Sequence, residues 1–252
     1  MTEALYLNDS YLKEFEAKVI KSEAGKIILD KTAFYPESGG QPCDFGKLIK
    51  GNEEFSVTNV KKEAGEIIHH VGNAIISEHP KNQNGFFDIG KEDLQVGDEV
   101  KGIIDWQRRH KLMRMHTAAH ILSAIFHLQT NALITGNQLG LDKSRIDFNT
   151  ETFDREAIKE YFTAANDVVK WNLPIRAYTV PMEQIVNDKK LFKLAKGIPP
   201  GLKDVRIVEI EIFDKQADGG THVNSTGEVG SIIFLDAENK GADNRRVYFK
   251  VE

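Results

Sequence analysis

Two histidines, His116 and His120, stand four residues apart in the stretch MRMHTAAHIL (113–122), which contains no Pro or Gly and is rich in Ala, Leu and Met. On a helix, residues at i and i+4 lie on one face, so both imidazoles would point at one spot and could offer two nitrogens to a metal. A His-Glu-x-x-His protease helix carries its general base directly after the first histidine. Thr117 occupies that position here, and the protease reading loses its base. Far downstream, QADGGTHV (216–223) places Asp218 and His222 four apart around Gly219-Gly220. The glycine pair predicts a turn rather than a helix. The stretch is either a loop with an Asx-type turn or the second half of a two-plus-two metal site, the helix supplying two imidazoles and the loop the rest.

The elements that must position these residues change in texture near residue 100. The chain has 252 residues, enough for two domains with their own cores. Before the change, short β-rich runs such as Ala17–Ile20, Lys26–Leu29 and Glu66–Val71 are punctuated by glycines, the pattern of a small barrel or sandwich. Gly97–Asp105 reads as its last strand. After it, helices are expected over residues 106–128 and 154–171, the second with Ile158, Phe162, Ala165, Val168 and Val169 at helical spacing. A weaker helix is expected over 182–195, and strands over 205–213, 230–235 and 245–251. The reading is therefore α+β: a small N-terminal β-barrel over residues 1–104, then an α/β-sandwich domain with an antiparallel sheet over 105–252.

The chain has 33 basic and 38 acidic side chains, a net charge of -5, so no global positive field points to a polyanion. Cys43 is the only cysteine, which excludes an intrachain disulfide framework and, with no Ser-His-Asp set visible, argues against covalent catalysis. No apolar run approaches a membrane span and no secretory leader is visible, so a soluble, cytoplasmic protein is expected.

Several ordered motifs together resemble one family. RRHKLMRMHTAAHIL (108–122), DGGTHVNSTGEVG (218–230) and ENKGADNRRVYF (238–249) are similar to the editing domain of alanyl-tRNA synthetase and to its freestanding relatives, the alanyl-tRNA editing (AlaX) proteins. TAFYPESGGQPCDFG (32–46) resembles the Gly-rich motif of the barrel that precedes that domain in the longer freestanding forms, and SRIDF (144–148) and NLPIRA (172–177) resemble internal landmarks. The resemblance implies hydrolysis of the ester joining a wrong amino acid, chiefly serine and also glycine, to alanine tRNA. It also implies one zinc ion per chain, carried over to His116, His120, position 218 and His222. Position 218 is the departure, Asp standing where the family usually has Cys. Three imidazoles and a carboxylate remain an acceptable zinc set, but without sulfur Fe, Co or Mn compete better.

The resemblance further places a residue that contacts the serine side chain in ALITGNQ (132–138), with Thr135 as the candidate and Asn137 or Gln138 as alternatives. Gly39, Gly40 and Gln41 match a Gly-Gly-Gln segment that approaches the pocket; the bland alternative is a tight turn. Contacts to mischarged alanine tRNA are expected from local basic runs, Arg108, Arg109, Lys111 and Arg114, then Lys189, Lys190, Lys193 and Lys196, then Arg245 and Arg246. Two other functions stay open: an RNA-binding relative with a structural metal and no turnover, and editing of another aminoacyl-tRNA.

Overall fold

The structure is a computed structural model that describes residues 2–76, 93–150, 154–185, 193, 203–241 and 244–252. The chain folds as two compact units, Met1–Ser38 with Pro42–Arg109, and Gly39–Gln41 with His110–Glu252.

In the first unit a short parallel pair, β1 (Glu3–Ala4) and β4 (Lys31–Thr32), accompanies a closed barrel. The barrel strands are β2 (Glu14–Glu23), β3 (Lys26–Leu29), β5 (Gly46–Lys50), β6 (Glu53–Glu63), β7 (Glu66–Ile76) and β8 (Glu99–Ile104), joined antiparallel in the order β2-β3-β7-β6-β5-β8. Strict alternation drives it. Phe15, Ala17 and Val19 of β2 are buried while Glu14, Glu16 and Lys18 face water, and the inward set packs with Phe34, Leu48, Phe55 and Val100. His69 is a neutral core histidine: Nδ1 contacts the Ile27 carbonyl at 3.0 Å, Nε2 contacts the Thr32 hydroxyl at 2.8 Å, and burial holds its pKa down to about 4. Cys43 also lies in this core, and burial pushes its thiol up, away from reactivity.

The second unit is built on α1 (Trp106–Thr130), whose first turn belongs to the barrel unit. Asp105 caps that turn, its carboxylate accepting from Arg108 N at 3.1 Å, and Asn131 ends the helix in the left-handed region at φ 56. The middle of α1 is apolar nearly all round, with Leu112, Met113, Met115, Ala118, Ile121 and Leu122 fully buried. Around it lie β9 (Ile134–Gln138), β10 (Ser144–Asn149), α2 (Arg155–Lys170), β11 (Ile175–Pro181), the four-residue α3 (Met182–Ile185), β12 (Asp204–Ile210), β13 (Asp214–Ala217), β14 (Ile232–Asn239) and β15 (Asn244–Val251). They form an antiparallel sheet in the order β14-β15-β10-β9 and a second, β11-β12-β13. Phe126 of α1 stacks on Phe148 of β10 with centroids 4.2 Å apart, and α2 buries Ile158, Phe162, Ala165, Val168 and Val169.

The α+β class and the barrel agree with the sequence reading. Residues 205–213 are not one strand: β12 ends at Ile210, and Ile212 sits at φ 56 and is 91% exposed in the turn to β13. Of the expected helix over 182–195, Met182–Ile185 is helical and the rest, apart from Lys193, lies outside the described residues.

Candidate metal centre

His116 and His120 project from one face of α1 with ring centroids 5.1 Å apart. The segment after β13 brings His222 to 4.4 Å from the His116 ring and 4.6 Å from that of His120. Asp218 completes the group: Oδ2 is 3.1 Å from Nε2 of His222, and Oδ1 is 3.5 Å from Nε2 of His116. One potential ligand atom from each of the four lies within 4.8 Å of the others. The loop readings coexist, because Asp218 Oδ2 also accepts from Gly220 N at 2.5 Å, an Asx-type turn, while Arg206 donates to the carbonyls of Asp218 and Gly220. Gly220 is required by space: a Cβ there would overlap Cε1 of His116.

Hydrogen bonds fix which nitrogen faces the centre. The backbone N–H of Thr221 can only donate, and it lies 3.1 Å from one amide atom of Gln41, which must therefore be Oε1. The same Oε1 is 2.9 Å from Nδ1 of His116, so Nδ1 carries the proton and Nε2 is left with its lone pair. Gln41 Nε2 meanwhile donates to the Thr221 hydroxyl at 2.8 Å. Thr117 holds the His222 ring, its hydroxyl 3.1 Å from Nδ1 while also receiving Val223 N–H at 3.4 Å. In His120, Nδ1 is buried with no hydrogen-bond partner.

Electrostatics point the same way. Burial holds His116 down to about 4 and His120 well below its usual value, so both are neutral at pH 7. Burial works to raise the Asp218 carboxyl, but the three imidazoles around it hold it well below the usual carboxylate range. A lone pair on His116 facing a carboxylate, beside an orphaned buried nitrogen, is an arrangement that a cation satisfies. The residues fit a divalent metal. The site opens on a cavity of about 360 Å³ that His116, His120 and Asp218 line together with Gly39, Thr135 and Gln216.

Residues 3–108 match the family model described as tRNA synthetases class II (A), and residues 205–248 match Threonyl and Alanyl tRNA synthetase second additional domain. The alanyl-tRNA editing protein AlaX-M of Methanosarcina mazei is 47% identical over 255 residues, covering 100% of this chain and 97% of that protein. That of Saccharolobus solfataricus is 42% identical, with 100% of both chains covered. The chain belongs to the AlaX alanyl-tRNA editing family. It is also 39% identical to the alanine–tRNA ligase of Pyrococcus furiosus, over 98% of this chain and 26% of the ligase.

Gly39 and Gly40 form a left-handed turn at φ 58 and φ 85, and Gly40 lies so close to β9 that a Cβ would collide with Oδ1 of Asn137. That turn delivers Gln41, fully buried, to His116. Thr135 is exposed at the cavity wall, its hydroxyl donating to Asn244 Oδ1 at 3.1 Å. Sequence reasoning missed Thr117 as an imidazole holder, and it missed Thr221 and Gln216. Gln216 was accessible in principle, since it lies on β13 only two residues before Asp218.

The basic runs need correction. Arg109 is fully buried and forks onto Asp44, with Nε 2.9 Å from Oδ1, and it also donates to the Ala33 and Ser10 carbonyls. Arg114 is held by the carbonyls of Val229 and Glu252, and the buried Arg245 by Asn239 Oδ1 and the Gly241 carbonyl. Lys193 is buried against Asp214, while Lys189, Lys190 and Lys196 lie outside the described residues. A basic side chain is usually solvated; here protein acceptors hold several of them.

Proposed function

We propose that this chain is a trans-editing hydrolase that deacylates mischarged alanine tRNA, Ser-tRNA(Ala) and also Gly-tRNA(Ala), with one divalent metal, zinc being expected, held by His116, His120, Asp218 and His222. The observation that carries the reading is the convergence of His116, its tautomer fixed by Gln41, with His120 and His222 on Asp218 at the wall of a cavity. Membership of a family whose relatives are named alanyl-tRNA editing proteins supports the substrate.

An aminoacyl ester is already activated, so the catalyst must orient its carbonyl, admit a water and stabilise an oxyanion. A bound metal supplies Lewis acidity and a fixed positive charge there. Gln41 would keep the proton on Nδ1 of His116, leaving its Nε2 free for that ion, and Thr117 would hold the His222 ring in place. The Gly39-Gly40 turn walls the pocket without side chains, and Thr135 meets the aminoacyl group at its rim. Three of the four proposed ligands line the cavity, which supports an open, catalytic site over a closed structural clamp.

For the tRNA, a second cleft of about 310 Å³ is lined by Lys143, Arg145, Arg246 and Tyr248, where two arginines share the single carboxylate of Asp147 and leave a net positive charge suited to phosphates. It lies on β10 and β15, in the sheet whose edge strand β9 walls the cavity. Among the described residues no helix is long and apolar enough to cross a membrane. A cytoplasmic location, where aminoacyl-tRNA is used, is the expectation. Deacylation of Ser-tRNA(Ala) measured against bound metal tests the reading.

A further inference from the structure

We infer that Gln216 is the residue that recognises the side-chain hydroxyl of the misattached amino acid, through its amide oxygen; the inference rests on the editing reading above. Gln216 is 6% exposed, and that remnant surface belongs to the cavity lining. Both hydrogens of its Nε2 are used, one on Asp214 Oδ2 at 2.6 Å and one on Ser123 Oγ at 2.9 Å. Ser123 in turn donates its own proton to the His120 carbonyl at 2.9 Å, so it can only accept from Gln216. Asp214 takes the Lys193 ammonium on its other oxygen. The amide therefore cannot flip, because turning it would set an oxygen against a carboxylate.

What remains is Oε1, an acceptor of fixed direction to which no described residue donates. Gln216 is one of the residues that line the cavity, from which a donor would reach this oxygen. Two donors of an aminoacyl group could meet it, the α-ammonium and a side-chain hydroxyl. The Lys193–Asp214 pair cancels its own charge, leaving around Gln216 a neutral acceptor matched to a neutral donor. A methyl group at this place would leave a buried oxygen unpaired, which is how a site rejects the analogue lacking a hydroxyl. Thr135 is less suited to that discrimination, since water competes for an exposed hydroxyl.

The test compares kcat/KM for Ser-tRNA(Ala), Gly-tRNA(Ala) and Ala-tRNA(Ala) in wild type, Gln216→Met and Ser123→Ala. The ratio of serine to glycine release is expected to fall about 10–100-fold in Gln216→Met and by a smaller factor, about 2–5-fold, in Ser123→Ala, where the amide loses one holder. Parallel losses on serine and glycine, with the ratio unmoved, would overturn the inference and assign Gln216 to the amine or to structure. Should Gln216→Met fail to fold by circular dichroism, the Ser123→Ala ratio decides. A wild-type protein that cleaves none of the three esters would instead remove the editing reading itself.

Discussion

The hydroxyl of Thr117 lies 3.1 Å from Nδ1 of His222, one residue along α1 from His116. A residue that looked like a missing protease base is thus an imidazole holder. Thr117→Val keeps the shape and removes the hydrogen bond, and it is expected to weaken metal affinity about 10–100-fold, with Thr117→Ser retaining most of it. Competition titration with a chromophoric chelator reads this; equal affinity in the Val variant would separate Thr117 from the metal.

Gly40 packs where no side chain fits, and its φ of 85 adds backbone strain for any other residue. Gly40→Ala is expected to lower stability by about 2–4 kcal/mol. Adding Asn137→Ala removes the clashing amide and should restore part of that loss, giving a clear coupling in a double-mutant cycle of denaturation midpoints. Strict additivity would contradict the packing described.

The buried pair of Arg109 and Asp44 predicts stability effects rather than tRNA effects. Asp44→Asn strands a guanidinium with 0% exposure and is expected to cost about 3–5 kcal/mol in chemical denaturation, with little dependence on salt. If Arg109→Met instead folded with unchanged stability but bound tRNA with a shallower salt slope, Arg109 would be a phosphate contact after all.

His69 and His116 are buried neutral, with pKa values near 4 against 6.5 in the unfolded chain. Between those values the unfolded state binds more protons, so stability rises with pH across the window and is lost as pH falls from about 6.5 toward 4. Metal-free protein should take up roughly three protons on unfolding there, from His69, His116 and His120, and metal should remove the His116 and His120 shares while leaving that of His69. A flat melting temperature over this range would show that these imidazoles are not held neutral.

Much of this site was legible in the sequence because it depends on local pattern: a helical i, i+4 pair and a Gly-Gly turn carry their geometry with them. The apolar face of α2 was read in full for the same reason. β9, with the sequence ITGNQ, carries too few β-branched residues to announce a strand, and only pairing with β10 makes it one. Ile212 misled by its hydrophobicity, since it sits exposed in a tight turn. The roles of Gln41 and Arg109 were not readable, because their partners lie 75 and 65 residues away in the chain. Spacing within a motif cannot reveal what a third segment brings to it.

The most direct test is deacylation of Ser-tRNA(Ala) beside Ala-tRNA(Ala) by the purified protein as isolated, after chelation and after zinc restoration, with metal content measured on each sample. Selective release of serine that falls with the metal and returns with it is the expected result, together with loss of both metal and turnover in His116→Ala. Full activity in metal-free protein would contradict the metal's role, and bound metal with neither ester cleaved faster than in buffer would make the site a structural clamp in an RNA-binding relative.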